Sequence, residues 1–156
     1  TMEAIDCQHR RVDEALKAGG AAVGAKTVIE TLPGMFPLAC SPRLNDLFVE
    51  NIKEYFPETK IEDAGHFTAS TDMGDISHLM PSIHPFIGGV DGGLHTKDFC
   101  VTDFDAAAIL PGKVFAMNII DLLYDEAAMA KEILEKEKPI LTKEEYLAKL
   151  ESYFQS

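Results

Sequence analysis

Between Ala64 and Cys100 the chain reads AGHFTASTDMGDISHLMPSIHPFIGGVDGGLHTKDFC, and this stretch limits the fold more than any other. Pro81, Pro85 and the run Gly88-Gly89-Val90-Asp91-Gly92-Gly93 leave room only for short elements joined by loops. Four of the five histidines lie here, beside a small polar turn at Ser70-Thr71-Asp72. Polar, glycine-rich loops next to short apolar runs are where folds place binding and catalytic groups. Any chemistry in this chain is expected in this stretch.

The flanks read as helices with strands between them. Met2–Val23 has Ile5, Val12, Leu16 and Val23 near one face, and predicts an amphipathic helix that opens without a cap of its own and stops at Gly24. Ala25–Thr31 alternates as a strand should, before Pro33-Gly34 and Pro37 break it. Ser41-Pro42 starts a helix, because serine caps and proline fits the first turn; it runs to about Phe56, where Pro57 ends it. A short strand near Lys60–Asp63 follows. Within the central stretch, Asp72–Leu79 predicts a short helix and Ser82–Ile87 a buried strand. Thr102 or Asp103 then caps a helix through Leu123, kinked or divided at Pro111-Gly112. Two charged helices close the chain, about Glu126–Lys138 and Thr142–Phe154, the second opened by a Thr142/Glu145 capping box.

Composition narrows the class. Apolar residues at 46% and charged residues at 26% are ordinary for a soluble globular chain of 156 residues. No uninterrupted apolar run approaches the ~20 residues of a membrane helix, and no signal-peptide leader is expected. Fourteen basic against 26 acidic residues give a net charge of −12, a field that repels nucleic acid and anionic lipid. Cys7, Cys40 and Cys100 are an odd count without a close pair, which fits a reducing cytoplasm better than a disulfide framework. Cys100 is expected in a packed segment.

His95 follows the glycine loop, where an imidazole can be aimed into a cleft as a metal ligand or simply stay a hydrogen-bonded loop residue; no HxH or HxxxH partner accompanies it. Asp72 and Asp75 suit a ligand, a group orienting a ligand, or a helix cap. Ser70 and Thr71 suit a polar substrate group or a local turn. His78 and His84 read as partly buried structural residues, and His9 and His66 carry no spacing signal.

Ser70-Thr71-Asp72-Met73-Gly74-Asp75-Ile76-Ser77, then Met80-Pro81-Ser82-Ile83-His84-Pro85, then Gly92-Gly93-Leu94-His95-Thr96 with Phe99, closely resemble the C-terminal region of zinc-dependent amidohydrolases of the aminoacylase/carboxypeptidase superfamily, nearest its aminobenzoyl-glutamate hydrolase-like branch. Upstream, Met2–Leu38 resembles the last helix and strand of that family's lid domain, and Met117–Leu123 the helix closing its catalytic domain. The resemblance implies an α/β fold: a fragment of a zinc-exopeptidase-like catalytic domain preceded by half of a ferredoxin-like α+β lid. It implies lid residues 1–38, catalytic-domain residues 39–125 and a charged helical tail at 126–156. His95 stands at the position of the family's last metal-ligand histidine. Ser70, Thr71, Asp72, Gly92, Gly93 and Thr96 would line the substrate pocket. Family members hold two divalent metals, commonly zinc or manganese, whose bound water attacks an amide carbon with a glutamate as base.

Two of the family's motifs are missing: the early metal-ligand motif and the paired glutamates carrying the base; Glu144-Glu145 belongs to a capping pair instead. A single imidazole cannot make a catalytic zinc site, which takes about three protein ligands. The expectation is a C-terminal part of an enzyme acting on N-acyl or N-aroyl amino acids or small dipeptides, inactive alone, with uncovered apolar surface that favours a homo-oligomer or a missing N-terminal half. The rival readings are a binding or assembly module that kept the fold without metal, and a complete small α/β domain.

Overall fold

A computed structural model describes residues 1–32, 34–63, 65 and 68–154; the expected break at Pro33 and the histidine His66 lie outside the described residues. The chain divides into two compact units. The first holds Thr1–Ala39, Ala69–Leu79 and Ile140–Ser156, the second Cys40–Thr68 and Met80–Pro139.

In the first unit α1 spans Met2–Ala22. It does have a cap, contrary to the sequence expectation: the Thr1 hydroxyl accepts from the Ala4 N–H at 3.2 Å. Gly24, at φ 74°, turns the chain out of the helix at the expected point. Ala25–Thr31 is not a strand, and Val28 is exposed. Alternating apolar residues form a strand only when a neighbour takes up their N–H and C=O groups, and among the described residues no segment pairs with this one.

A short helix, α2 (Met73–Leu79 in the first unit), and α3 (Lys143–Phe154) complete that unit. Two side chains of α2 hold the 36–39 stretch: Asp75 Oδ1 accepts from the Phe36 N–H at 3.0 Å and Ser77 Oγ from the Ala39 N–H at 3.0 Å. Gly74 lies so close to the Phe36 carbonyl that a Cβ there would overlap it. Phe36 is the buried apolar residue of this unit, its ring edge-on to His78 at 5.3 Å and to Tyr146 at 5.4 Å. The predicted capping box opens α3, with Thr142 N–H donating to Glu145 Oε2 at 2.8 Å and Glu145 N–H to Thr142 Oγ1 at 3.2 Å.

The second unit begins with α4, Pro42–Tyr55, capped by Ser41 Oγ accepting from the Leu44 N–H at 3.1 Å as the Ser-Pro start predicts. Lys60–Asp63 and Ser82–Ile87 are not strands. Pro85 removes one donor from the latter segment and Pro81 another just before it, and Phe86 is exposed rather than buried. A two-stranded antiparallel hairpin follows, β1 (Val90–Asp91) with β2 (Cys100–Val101), pairing Val90 with Val101 and Asp91 with Cys100. Cys100 is exposed, not packed as expected, because so short a sheet has no covered face.

Asp103 caps the next helical segment through Oδ1, which accepts from the Ala106 N–H at 3.0 Å. A π-helical turn, Asp105–Ile109, leads into α5, Leu110–Lys136. Pro111 sits in the first turn of α5 directly after the π-helical turn, so a change of helix type rather than a kink marks this position. The kink comes at 124–127, where Asp125, Glu126 and Ala127 take positive φ, and it separates the two helices the sequence predicted. The core of this unit is Phe48, Ile52 and Val114, with Phe56, Ile83 and Leu110 packed around it. Asn51 in α4 donates to Asn118 Oδ1 and Asp121 Oδ2, both at 2.8 Å, joining α4 to α5 by a buried polar link.

By length and composition alone, Asp105–Lys136 is a helix long and apolar enough to cross a membrane. Counting uninterrupted apolar runs missed it because Lys113, Asn118 and Asp121 punctuate the sequence without ending the helix. Its helical backbone is nevertheless interrupted at 124–127.

Candidate functional site: the glycine hairpin and its histidine

The hairpin of the second unit is held at its base by Gly89, whose carbonyl accepts from the Thr102 and Asp103 N–H groups at 3.0 and 3.1 Å. Gly92 begins the 92–99 loop at φ 84°, and a Cβ there would run into the Asp98 backbone, so this position needs glycine for both reasons. The loop then closes on itself. The Gly93 carbonyl accepts from Thr96 N–H at 3.1 Å and from Thr96 Oγ1 at 2.8 Å, and the Thr96 carbonyl accepts from Phe99 N–H at 3.3 Å.

His95 stands in this closure with φ 62°, fully on the exposed side. A left-handed backbone costs a residue with a Cβ roughly 1–2 kcal/mol, and such strain gathers at functional positions. The hydrogen bonds of Gly93 and Thr96 on either side hold it there. The hydroxyl of Thr96 is thereby committed to the loop, and Gly92 and Gly93 act through the backbone.

Ser70, Thr71 and Asp72 belong to the first unit. Ser70 and Asp72 are exposed, and Thr71 is half-buried. The turn is built by Thr71: its carbonyl accepts from Gly74 N–H at 2.9 Å, and its hydroxyl accepts from Met73 N–H at 3.3 Å. Of the readings open to Asp72, a side-chain cap of α2 is not what forms: Thr71 supplies that contact and Asp72 contributes its carbonyl to Asp75 N–H at 3.1 Å. Asp75, open to a ligand reading from sequence, is spent on Phe36. His78 is buried and structural, its Nδ1–H donating to the Gly74 carbonyl at 2.9 Å. Among the described residues His84 Nδ1 and Ser82 Oγ are buried and find no hydrogen-bond partner.

One polar cluster escaped the sequence. In the first unit Asp6 of α1 accepts from Lys149 Nζ and from Tyr153 Oη, both at 2.5 Å. These bonds hold the Asp6 carboxyl below the usual carboxylate range. Asp6 in turn raises Lys149, and burial with the Asp6 bond raises the Tyr153 phenol. The i, i+4 spacing of Lys149 and Tyr153 was visible, but nothing in sequence pointed across 143 residues to Asp6.

A catalytic zinc site draws on about three protein ligands. Among the described residues no three His, Cys, Asp or Glu side chains come together. These residues therefore do not fit a complete metal centre, and His95 at most supplies one arm of one.

Comparison with known proteins points, at a distance, to a relation with peptidases and amidohydrolases. Over 137 residues the chain is 27% identical to Xaa-Arg dipeptidase of Mus musculus, a match covering 83% of this chain and 32% of that protein. The chain thus spans about a third of the length of the curated relative it matches. No family model matches it, and no solved structure does.

Proposed function

We propose that this chain is the C-terminal part of a metal-dependent amidohydrolase that cleaves the amide of N-acyl or N-aroyl amino acids or small dipeptides. His95 contributes one ligand to a divalent-metal centre, zinc or manganese, whose other ligands and general base come from residues outside this chain. Gly92, Gly93 and Thr96 fix that ligand and form pocket wall, and the Ser70-Thr71-Asp72 turn shapes the substrate side. The described residues by themselves carry out no hydrolysis. The second half of the site comes from the remainder of the enzyme or from a second copy, and the parent works in the cytoplasm.

The observation that carries this reading is His95 in a left-handed backbone, at a position the hydrolase resemblance independently assigns to a ligand. The dipeptidase similarity supports small peptide substrates. Histidine is also among the residues that best tolerate this backbone when a role requires it.

Zinc titration followed by histidine ring NMR tests it. We expect the His95 signals to move first, with weak affinity that His95→Ala abolishes. Zinc that moves His9, His78 or His84 while leaving His95 untouched would overturn the assignment. Adding the polypeptide encoded upstream of Thr1 should then create hydrolysis of an N-acyl amino acid that His95→Ala removes.

A further inference from the structure

The break in α5 falls where local preference offers little reason for one. The run 124–132, YDEAAMAKE, has no glycine, asparagine or proline, and alanine, glutamate, methionine and lysine are among the best helix formers. Asp125, Glu126 and Ala127 nevertheless stand at φ 49°, 54° and 62°, with ψ 59°, 32° and 37°. That region crowds Cβ against the following carbonyl oxygen, and the cost recurs at each of the three residues. Aspartate visits it more readily than most; glutamate and alanine do not. Local preference therefore opposes the observed backbone, and contacts beyond residue 127 must hold it.

Those contacts lie on the arm that follows, residues 128–137. Glu137 Oε1 accepts from the Arg43 N–H at 3.2 Å, taking up one of the donors left open at the start of α4. The Arg43 guanidinium donates to Met129 Sδ at 3.8 Å and to Glu50 Oε2 at 3.1 Å, so one side chain grips the arm and α4 together. Ile133, between Met129 and Glu137 in sequence, is buried. Ahead of the break, Val114 and Asn118 fix the first half of α5 on α4. Both halves are thus anchored to the same helix, and the three residues between them take the strained backbone that lets both anchors hold. Returning those three to the right-handed region re-aims everything after 127, so Met129, Ile133 and Glu137 cannot all keep their present places.

We propose that residues 125–127 are a sprung hinge and the 128–137 arm its latch: when the arm leaves α4, the three residues return to the right-handed region, α5 runs as one helix from Leu110 to Lys136, and the first turn of α4 is uncovered. The device lies in the second unit and stands whether or not the chain belongs to a hydrolase. NMR on the whole chain tests it in two ways. Exchange of the Arg43 amide, whose bond to Glu137 is lost on release, reads how often the latch opens. Glu126→Val, at an exposed position, should speed that exchange severalfold, because a β-branched residue tolerates positive φ least. Ala127→Gly should slow it severalfold, because glycine adopts positive φ freely. The Leu44 amide, bonded to Ser41, should exchange at one rate in all three chains. The second readout is the handedness of the hinge, since positive φ brings a residue's own Hα and N–H close and gives a strong cross-peak between them. In Glu137→Ala/Ile133→Ala these peaks should fade at 125–127, while Hα(i) to N–H(i+3) peaks run unbroken across the break and the Val114 methyl signals stay in place. If that double variant does not fold, the two exchange rates decide the case. Arg43 exchange unchanged in both Glu126→Val and Ala127→Gly, or strong intraresidue peaks persisting at 125–127 in a folded latch variant, would overturn the hinge.

Discussion

At the scale of single residues, His95 and the Asp6 cluster make opposite kinds of prediction. His95 stores backbone strain, so His95→Gly should leave stability unchanged or raise it by up to about 1 kcal/mol, and His95→Val should lower it by about 1–2 kcal/mol, read by urea denaturation. Asp6 stores electrostatic stability. Its folded-state pKa lies below the ordinary 3.8, so its contribution is complete above pH 3.8 and is lost as pH falls through the lowered value. Lys149 works the other way: raised above 10.5, its contribution is complete below that pH and is lost as pH rises through the raised value. Asp6→Asn should therefore flatten the acid side of the stability profile, measured by thermal melts across pH 2–6. The caps at Ser41 and Asp103 were legible because their partners lie three residues away. Asp6, Asp75 and Ser77 were not, since their partners are set by tertiary approach and leave no local pattern.

Helices were legible as elements and strands were not. Helical periodicity and capping are satisfied inside one segment, so α1, α3 and α4 fall where the pattern puts them. Ala25–Thr31 and Ser82–Ile87 carry the apolar content of strands but need neighbours for their backbone groups, which a single segment cannot reveal. The break in α5 was anticipated by the separation of its two charged and apolar halves, although not its form, three consecutive residues in the left-handed region. Ala127→Gly should relieve one of these, stabilising the chain by a few tenths to about 1 kcal/mol in equilibrium unfolding. Packing of α4 on α5 rests on Val114, which is fully buried. Val114→Ala should cost about 2 kcal/mol, and Asn118→Leu a similar amount, because it strips one acceptor from the buried Asn51 amide.

For the molecule as a whole, the feature that bears on the proposed assembly is the apolar surface the described residues leave exposed. No residue of α1 or α3 is buried, and in α5 the side away from Val114 presents Ile119, Ile120 and Leu123, all exposed. A helix apolar on both sides is normally covered on both. Ile120→Lys should leave folding within about 0.5 kcal/mol of the parent while increasing the monomer fraction, measured by light scattering at rising concentration. An unchanged distribution would remove this face from any account of assembly. At this scale little could be read from sequence: net charge and composition describe a surface average and do not say which side of a helix lacks a neighbour.

The closed loop around His95 bears on how tightly a lone cation could be held. A flexible peptide must surrender rotational freedom in its backbone at the moment it coordinates, whereas here the Gly93 and Thr96 bonds have imposed that order during folding. An excised peptide of residues 88–103 should accordingly bind zinc more weakly than the intact chain, and the gap between the two titrations would measure how well the hairpin aims its ring.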